Sequence, residues 1–227
     1  MSKKYKILKS GKNKGRVKAL RSFSDIKAGD VGGFVESEDN LSHEGDCWVS
    51  DDARVSGNAR VLGDARVSGS AQVSDSVWVS DNAWVFDNAR VFDDALVYDD
   101  AWVYGRAQVY GSAQVSGKAQ VYGRAKVQDE AKVQDETRVY GEAQVYGRAC
   151  VSDDNILTSK ALFMIGPRDS ITVTDKHIAI GCENHEFSYW LKHVKSIGKK
   201  HGYTKSEIKW YTDIIKLMIK TKIKEGK

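Results

Sequence analysis

Small apolar residues recur at every sixth position along the middle of the chain, and a valine follows each of them two positions later. Eighteen such six-residue units run without insertion from Cys47 to Asp154. The third position is Val in all eighteen units, and the first is Ala in fifteen, with Cys47, Val77 and Thr137 as exceptions. A fixed period of this length predicts a solenoid over residues 47–154, in which neighbouring units bury one another.

The alternation inside each unit predicts a short extended segment with one buried side. Side chains of an extended chain alternate between two faces, so the Ala and the Val of a unit point the same way. Val is β-branched and packs well on a pleated surface. Because this inward pair is small, we expect a narrow, filled interior with no pore or ligand cavity along its axis.

The last two positions of each unit predict a turn. Gly57-Asn58 and Asp81-Asn82 are examples, and Gly, Asn and Asp tolerate positive φ at little cost. Four extended residues and a two-residue corner, repeated, make a coil, and stacked coils pair by parallel backbone hydrogen bonds. We interpret the corner aspartates as turn formers rather than calcium ligands, because the calcium β-helix repeat is a nine-residue glycine-rich pattern. No metal site is predicted.

The repeat resembles the hexapeptide repeat of left-handed β-helix proteins of the trimeric LpxA-like superfamily. That resemblance implies three units per triangular coil, and therefore six coils and roughly 29 Å of prism. The segment Phe23 to Val35, followed by Asn40-Leu41-Ser42 and by Gly45 to Val49, is similar to the N-terminal cap of YdcK-like hexapeptide proteins. Such proteins occur in enteric bacteria, phages and prophages and are commonly labelled as transferases, with no established reaction to carry over.

Downstream of the repeat the pattern changes to short strands and then helices. Residues 161–165, 170–174 and 177–180 are predicted strands, and apolar residues at helical spacing predict a helix over about 186–200. Thr204-Lys205-Ser206-Glu207 is a capping box that opens a second helix. The capped turn between these helices disfavours a DNA-reading role.

The predicted fold is therefore an all-β solenoid, a left-handed parallel β-helix of about six coils with a small α+β C-terminal cap. Its parts are an N-terminal basic arm and cap (1–46), the β-helix (47–154) and C-terminal strands with a two-helix cap (155–227). Cations exceed acids by three in the first part and by seven in the third, whereas acids exceed cations by six in the β-helix.

The N-terminal arm carries nine cations and no acid between Lys3 and Arg21. We interpret it as a solvated arm, with contact to an anion as the alternative. A nucleic-acid partner is disfavoured, because no aromatic residues beyond Tyr5 interleave with these cations. The predicted anion-binding residues are Lys3, Lys4, Lys6, Arg16 and Arg21.

The remaining composition predicts a cytoplasmic protein of a bacterium or a phage-infected cell. No apolar run approaches the roughly 20 residues that span a bilayer, and the N-terminus lacks the apolar segment of a signal peptide. Cys47, Cys150 and Cys182 form a sparse, odd set, which argues against a disulfide framework.

Candidate catalytic residues are confined to the two ends of the chain. Hexapeptide acyltransferases usually carry a catalytic His on or near a coil and a loop that covers the substrate. Here no histidine lies between His43 and His177, and the repeat has no extruded loop. His43 as a general base, or Cys182 and His185 as a nucleophilic pair, are the remaining candidates, with a structural role as the alternative for each.

Outward-facing aromatic residues concentrate on one side of the predicted prism. With three units per coil, every third unit stacks on the same side, and seven of the twelve outward positions on this side are aromatic. An apolar strip of this size is typical of an interface, although Tyr and Trp also favour exposed strands. We expect the strip to pack against a symmetry mate in a dimer or trimer. The predicted interface residues are Trp48, Trp84, Phe86, Trp102, Tyr104, Tyr122 and Tyr140.

Three functions fit this pattern. The first is a non-catalytic, oligomeric binding scaffold without a cofactor, whose aromatic side and basic ends bind a protein partner or a small anionic ligand such as a nucleotide. Resemblance alone implies a phage accessory or anti-defence role for it. The second is an acyltransferase that binds acetyl-CoA between prisms, and the third is a purely structural spacer.

Overall fold

The repeat forms a parallel β-solenoid in the computed structural model, which describes residues 3–153 and 155–225. Asp154, the last residue of the predicted repeat, lies outside the described residues. Each unit contributes a short strand, and the strands from Trp48–Val49 to Arg138–Val139 pair in parallel with the strand three units further on, as Trp84 does with Trp102. The coil of three units is thereby confirmed, whereas the left-handed sense stays a prediction.

The strands and helices follow the chain in three groups. The N-terminal cap contains β1 (Tyr5–Ile7), β2 (Arg16–Ala19), β3 (Val31–Val35) and a 3₁₀ helix (Glu38–Asn40). The solenoid strands are β4 (Trp48–Val49), β5 (Arg54–Val55), β6 (Arg60–Val61), β7 (Arg66–Val67), β8 (Gln72–Val73), β9 (Trp78–Val79), β10 (Trp84–Val85), β11 (Arg90–Val91), β12 (Leu96–Val97), β13 (Trp102–Val103), β14 (Gln108–Val109), β15 (Gln114–Val115), β16 (Gln120–Val121), β17 (Lys126–Val127), β18 (Lys132–Val133), β19 (Arg138–Val139), β20 (Gln144–Val145), β21 (Cys150–Val151) and β22 (Ile156–Leu157). The C-terminal module contains β23 (Leu162–Ile165), β24 (Ser170–Val173), β25 (His177–Ile180), β26 (Glu183–Glu186), α1 (Phe187–Lys200) and α2 (Lys205–Glu225).

The interior of the solenoid is filled by the inward pairs of the repeat. Every first-position and third-position residue of the eighteen units is at most 1% exposed. Thr137, the one polar residue among them, donates its hydroxyl to the carbonyl of Asp153 at 3.0 Å. The inward direction of the Ala/Val pair is thus confirmed. Because the interior is filled, any ligand or partner of the solenoid has to bind its exterior.

The corners of the coil use residues that tolerate a left-handed backbone. The first corner residue has a positive φ in all eighteen units, and it is Gly in nine and Asp in nine. Eight of these aspartates accept a hydrogen bond from a backbone N–H one coil further on; Asp93, for example, accepts from Gly111 at 3.0 Å. Among the described residues no group of three or more His, Cys, Asp or Glu could hold a metal ion.

The solenoid extends past both ends of the six-residue repeat and has about seven turns rather than six. Phe34 pairs in parallel with Arg54, so this first coil is slightly longer than three repeat units. At the other end Gln144 bridges Lys160, so the last coil is slightly shorter than three units. The hydrogen-bonded ladder therefore continues where the sequence period is lost, because corners of different length still bring the strands into register.

The N-terminal end of the solenoid is closed by β1, β2 and the 3₁₀ helix. β1 and β2 are antiparallel and extend one of the three sheets. Asn40 is fully buried and donates to the carbonyls of Gly57 and Ala59, both at 2.9 Å. Its side-chain oxygen accepts from the backbone of Glu36 and Ser37. One side chain thus satisfies backbone groups that a further coil would otherwise pair.

The C-terminal module is a four-stranded antiparallel sheet, β23 to β26, with α1 and α2 packed on it. The three predicted strands and both helices are confirmed, and β26 was missed because Glu183–Glu186 contains no apolar residue. The capping box is also confirmed: Thr204 Oγ1 accepts from the N–H of Glu207 at 3.2 Å, and Glu207 accepts from the N–H of Thr204 at 2.7 Å. No helix in the described ranges is long and apolar enough to cross a membrane.

Candidate binding sites

Six aromatic residues form a continuous surface on one side of the solenoid, called the aromatic face below. Trp84 and Trp102 stack with ring centroids 5.6 Å apart, and Trp84 also meets Phe86 edge-to-face at 6.3 Å. The two tryptophans form one column, and the rings from Phe86 to Tyr140 form a second column beside it. Successive rings of this second column are 4.8 to 5.0 Å apart and within 9° of parallel. The aromatic face consists of Trp84, Phe86, Trp102, Tyr104, Tyr122 and Tyr140.

The stacking determines which part of each ring is exposed to solvent. The ring-to-ring spacing in the second column follows the coil spacing, so each ring covers the faces of its neighbours and turns an edge outward. Trp84 and Trp102 remain 45% and 40% exposed. The result is a broad apolar surface of ring edges, with few free ring faces on which a planar ligand could stack.

The prediction that Trp48 belongs to this surface is wrong. Trp48 stands in the same strand column but is only 2% exposed. Phe23 and Tyr5 of the N-terminal cap contact its indole edge-to-face, at 5.5 Å and 6.4 Å between centroids. The cap therefore covers the first ring of the column, which only the three-dimensional path of residues 5–23 could reveal.

Lys4 was predicted to bind an external anion, and this prediction is also wrong. Its side chain is fully buried, and Nζ donates to the carbonyls of Gly45 and Cys47 at 3.1 and 3.0 Å and to the Cys47 thiol at 3.3 Å. Burial lowers the pKa of Lys4. The lysine serves as a hydrogen-bond donor for the open end of the first coil, where coil-to-coil partners are lacking.

The other predicted anion-binding residues lie on the surface of the cap but do not converge. Lys3 pairs with Glu38 at 2.7 Å, and Arg16 pairs with Asp52 while it lies 4.3 Å from the ring centroid of Phe34. The two remaining predicted residues, Lys6 and Arg21, are both exposed. Lys3 and Arg16 already have acidic partners, and the part of the chain that the structure describes shows no anion cradle built from the five.

His43 is packed into the cap rather than presented to a substrate. Its ring stacks on Tyr5 at 4.4 Å, and Nδ1 accepts from the backbone N–H of Lys4 at 3.3 Å. Nε2 is buried and is the one side-chain polar atom, within the described ranges, that is buried without a hydrogen-bond partner. Burial lowers the pKa of His43. This arrangement favours the structural alternative for His43 over general-base catalysis.

The ring of His185 bonds a carboxylate rather than its predicted partner, Cys182. Cys182 is exposed in the turn before β26, and the hydrogen bond of the His185 ring joins Nε2 to Glu183 at 2.8 Å. Glu183 also bonds His201 Nε2 at 2.7 Å and Lys200 Nζ at 3.1 Å. Donation by His201, then by His185 and Lys200, lowers the pKa of Glu183 to about 2.

The same turn borders a cavity in the C-terminal module that sequence reasoning missed. Its rim brings together Arg168 and Asp169 from the β23–β24 turn, Glu183 from β26, and His201 and Tyr203 from the turn between the helices. These residues come from three separate segments of the chain. No residue spacing within one strand or helix predicts this cluster, because its members meet only when the two helices pack on the sheet.

Comparison with known proteins agrees with the repeat architecture. A family model described as the YdcK Beta solenoid repeat matches residues 53–69, 59–75 and 89–105. The solenoid thus contains repeats similar to the YdcK β-solenoid repeat. Each matched segment is one residue short of a full coil of three units. Each YdcK-type match therefore covers nearly one coil of the solenoid. No curated protein matches the chain.

The matched YdcK-type repeats include only part of the aromatic face. The segment 89–105 contains Trp102 and Tyr104, whereas the caps and the C-terminal cavity lie outside all three matches. The YdcK-type match therefore concerns the fold of the solenoid, and neither cap is part of it.

Proposed function

We propose that this solenoid is a non-catalytic, self-associating scaffold, in which the aromatic face of one copy packs against the same face of a second copy. The single observation that carries the proposal is the continuity of this face, in which six rings contact one another and two tryptophans are 45% and 40% exposed. Contiguous exposed apolar surfaces often mark interaction sites, and aromatic residues concentrate at interfaces.

The ring geometry supports a protein partner over a stacking ligand. Nucleic-acid bases bind proteins by stacking on free aromatic faces. In the second column those faces are already covered by neighbouring rings 4.8 to 5.0 Å away. A surface of ring edges suits burial against another broad apolar surface.

A second copy is the occupant that best matches this surface. Two identical columns have the same repeat along their length, so that rings of one copy can register with rings of the other over the whole face. Homo-oligomers are also mostly symmetric, with the same patch used on both subunits in a two-fold dimer. The hydroxyls of Tyr104 and Tyr122 carry no charge at neutral pH, and burial raises the pKa of both further above the ordinary value of 10.

The test is a measurement of mass in solution by light scattering. We expect the wild-type protein to exceed the 25.2 kDa of one chain, and the double variant Trp84→Glu, Trp102→Glu to fall to that value. The matched control is Trp78→Glu, because Trp78 is 48% exposed on another side of the solenoid. A wild-type mass of one chain, or an unchanged mass in the double variant, contradicts the proposal.

A further inference from the structure

The C-terminal module contains a cavity of about 210 Å³ that the proposed self-association does not use. It lies between the end of β25, the turn before β26 and the two helices. A dry apolar cavity of about 150 Å³ can hold a benzene molecule, so this one can admit a small ring or a branched alkyl group. Its apolar wall is formed by Ile180, Trp190, Val194, Ile197 and Ile208.

Asp169 is the anionic group at the rim with capacity left for a ligand. Its backbone is held by the Tyr211 hydroxyl, which accepts from the N–H at 2.7 Å and donates to the carbonyl at 2.8 Å. Its carboxylate accepts a hydrogen bond from the Tyr203 hydroxyl. Within the described ranges no cation lies in salt-bridge distance of Asp169, and a carboxylate can accept about four hydrogen bonds.

The other charged groups of the rim are already engaged. Glu183 is bonded by His201, His185 and Lys200. Arg168 lies 5.2 Å from the ring centroid of Tyr203 and donates to the carbonyl of Gly202 at 3.1 Å. Arg168 is thus directed towards Gly202 and Tyr203, and Asp169 is the rim carboxylate that no described cation pairs with.

We propose that this cavity binds a small primary amine with an apolar body, whose ammonium group pairs with Asp169 while its hydrocarbon part packs against the apolar wall. Ligand pockets are commonly apolar with a few placed polar groups, and a charge-assisted hydrogen bond is about twice as strong as a neutral one. The Tyr203 hydroxyl donates to the same carboxylate and so positions Asp169 for the ammonium group of the ligand.

The first test is calorimetric titration of the full chain with three probes of matched size. We expect saturable binding of phenethylamine, and at least tenfold weaker binding of 3-phenylpropionate and of 2-phenylethanol. Asp169→Asn keeps an acceptor for Tyr203 but removes the charge, and should weaken phenethylamine binding at least tenfold. Asp213→Asn, on the exposed side of α2, is the matched control and should leave it unchanged.

The second test locates the bound amine by the reactivity of Cys182. This thiol is exposed at the rim, whereas Cys47 is buried and Cys150 is partly buried at the solenoid surface. Saturating phenethylamine should slow alkylation of Cys182 by iodoacetamide several-fold and leave Cys150 unchanged. This readout uses the wild-type chain, so it remains decisive if Asp169→Asn does not fold. No binding of the amine, equal binding of the acid, or an unprotected Cys182 overturns the proposal.

Discussion

At the scale of single residues, the corners of the coil carry the most specific demands. The first corner residue is always Gly or Asp because its φ is positive in every unit. Aspartate adds a hydrogen bond to the next coil, while glycine permits a closer approach: a Cβ on Gly69 would lie 2.8 Å from the backbone nitrogen of Asp87. The repeat thus selects residues by backbone conformation as much as by burial.

We expect Asp93→Val to lower the free energy of unfolding by about 2 kcal/mol, because a β-branched residue is strained at φ +61° and the bond to Gly111 is lost. Chemical denaturation would measure this. The control is Asp94→Val at the next position, which has no positive φ and should cost less than about 0.5 kcal/mol. Equal losses at the two positions would show that φ is not the cause.

At the scale of elements, the caps differ from the repeat in how they satisfy the backbone. The inner coils pair strand with strand, but the N-terminal cap uses buried polar side chains. Asn40 and Lys4 donate to carbonyls at the end of the solenoid, and His43 accepts from the backbone of Lys4. An exposed end would leave unpaired strand edges, which invite end-to-end association.

The half-buried imidazole of His43 in the cap predicts a pH dependence of stability. Burial, with smaller contributions from Lys3 and Lys4, lowers the pKa of His43, while Glu38 acts the other way. The unfolded chain therefore takes up the proton first. Stability from this group is complete above the unfolded pKa of 6.5 and is lost as the pH falls through that value towards the folded pKa.

We expect His43→Phe, which keeps the ring that stacks on Tyr5, to gain stability relative to the wild type as the pH falls from 7.5 to 5. Unfolding by denaturant at a series of pH values would measure the difference between the two proteins. Between pH 7.5 and 8.5 the difference should be constant, which serves as the internal control. A difference independent of pH down to 5 would mean that His43 does not titrate on unfolding.

At the scale of the whole molecule, the solenoid is a stack of nearly independent coils whose columns of side chains run along its length. Removing a whole coil should keep every column, whereas removing a third of a coil should rotate all that follows onto another side. We expect the interior to tolerate both changes, because the third residue is Val in all eighteen units and the first is Ala in fifteen.

We expect deletion of residues 107–124, one full coil, to leave a cooperatively folded protein that still self-associates, because Tyr140 then stacks on Tyr104. Deletion of residues 89–94 should also leave a folded solenoid, but Gln108 then takes the place of a tryptophan of the aromatic face and the mass in solution should fall. Circular dichroism and light scattering would report the two properties. Loss of folding on removal of the full coil would contradict the modular stack, and an undiminished mass on removal of one unit would contradict the proposed interface.

The sequence by itself determined the solenoid and its filled interior, which follow from local alternation and a fixed period that act over one short unit at a time. Its resemblance to hexapeptide-repeat proteins implied the coil of three units and, with it, the stacking of the aromatic face. It also predicted both C-terminal helices and the capping box, whose signals lie within one turn of helix.

Only the tertiary structure decided which outward residues are free. Trp48 and Lys4 have the sequence context of surface residues, yet the N-terminal cap buries both. The seventh turn and the C-terminal cavity were hidden for a related reason: the first coil has an irregular length, and the cavity joins Asp169, Glu183 and Tyr203 across the module. Contacts between distant segments depend on how whole elements pack, and no short-range pattern encodes them.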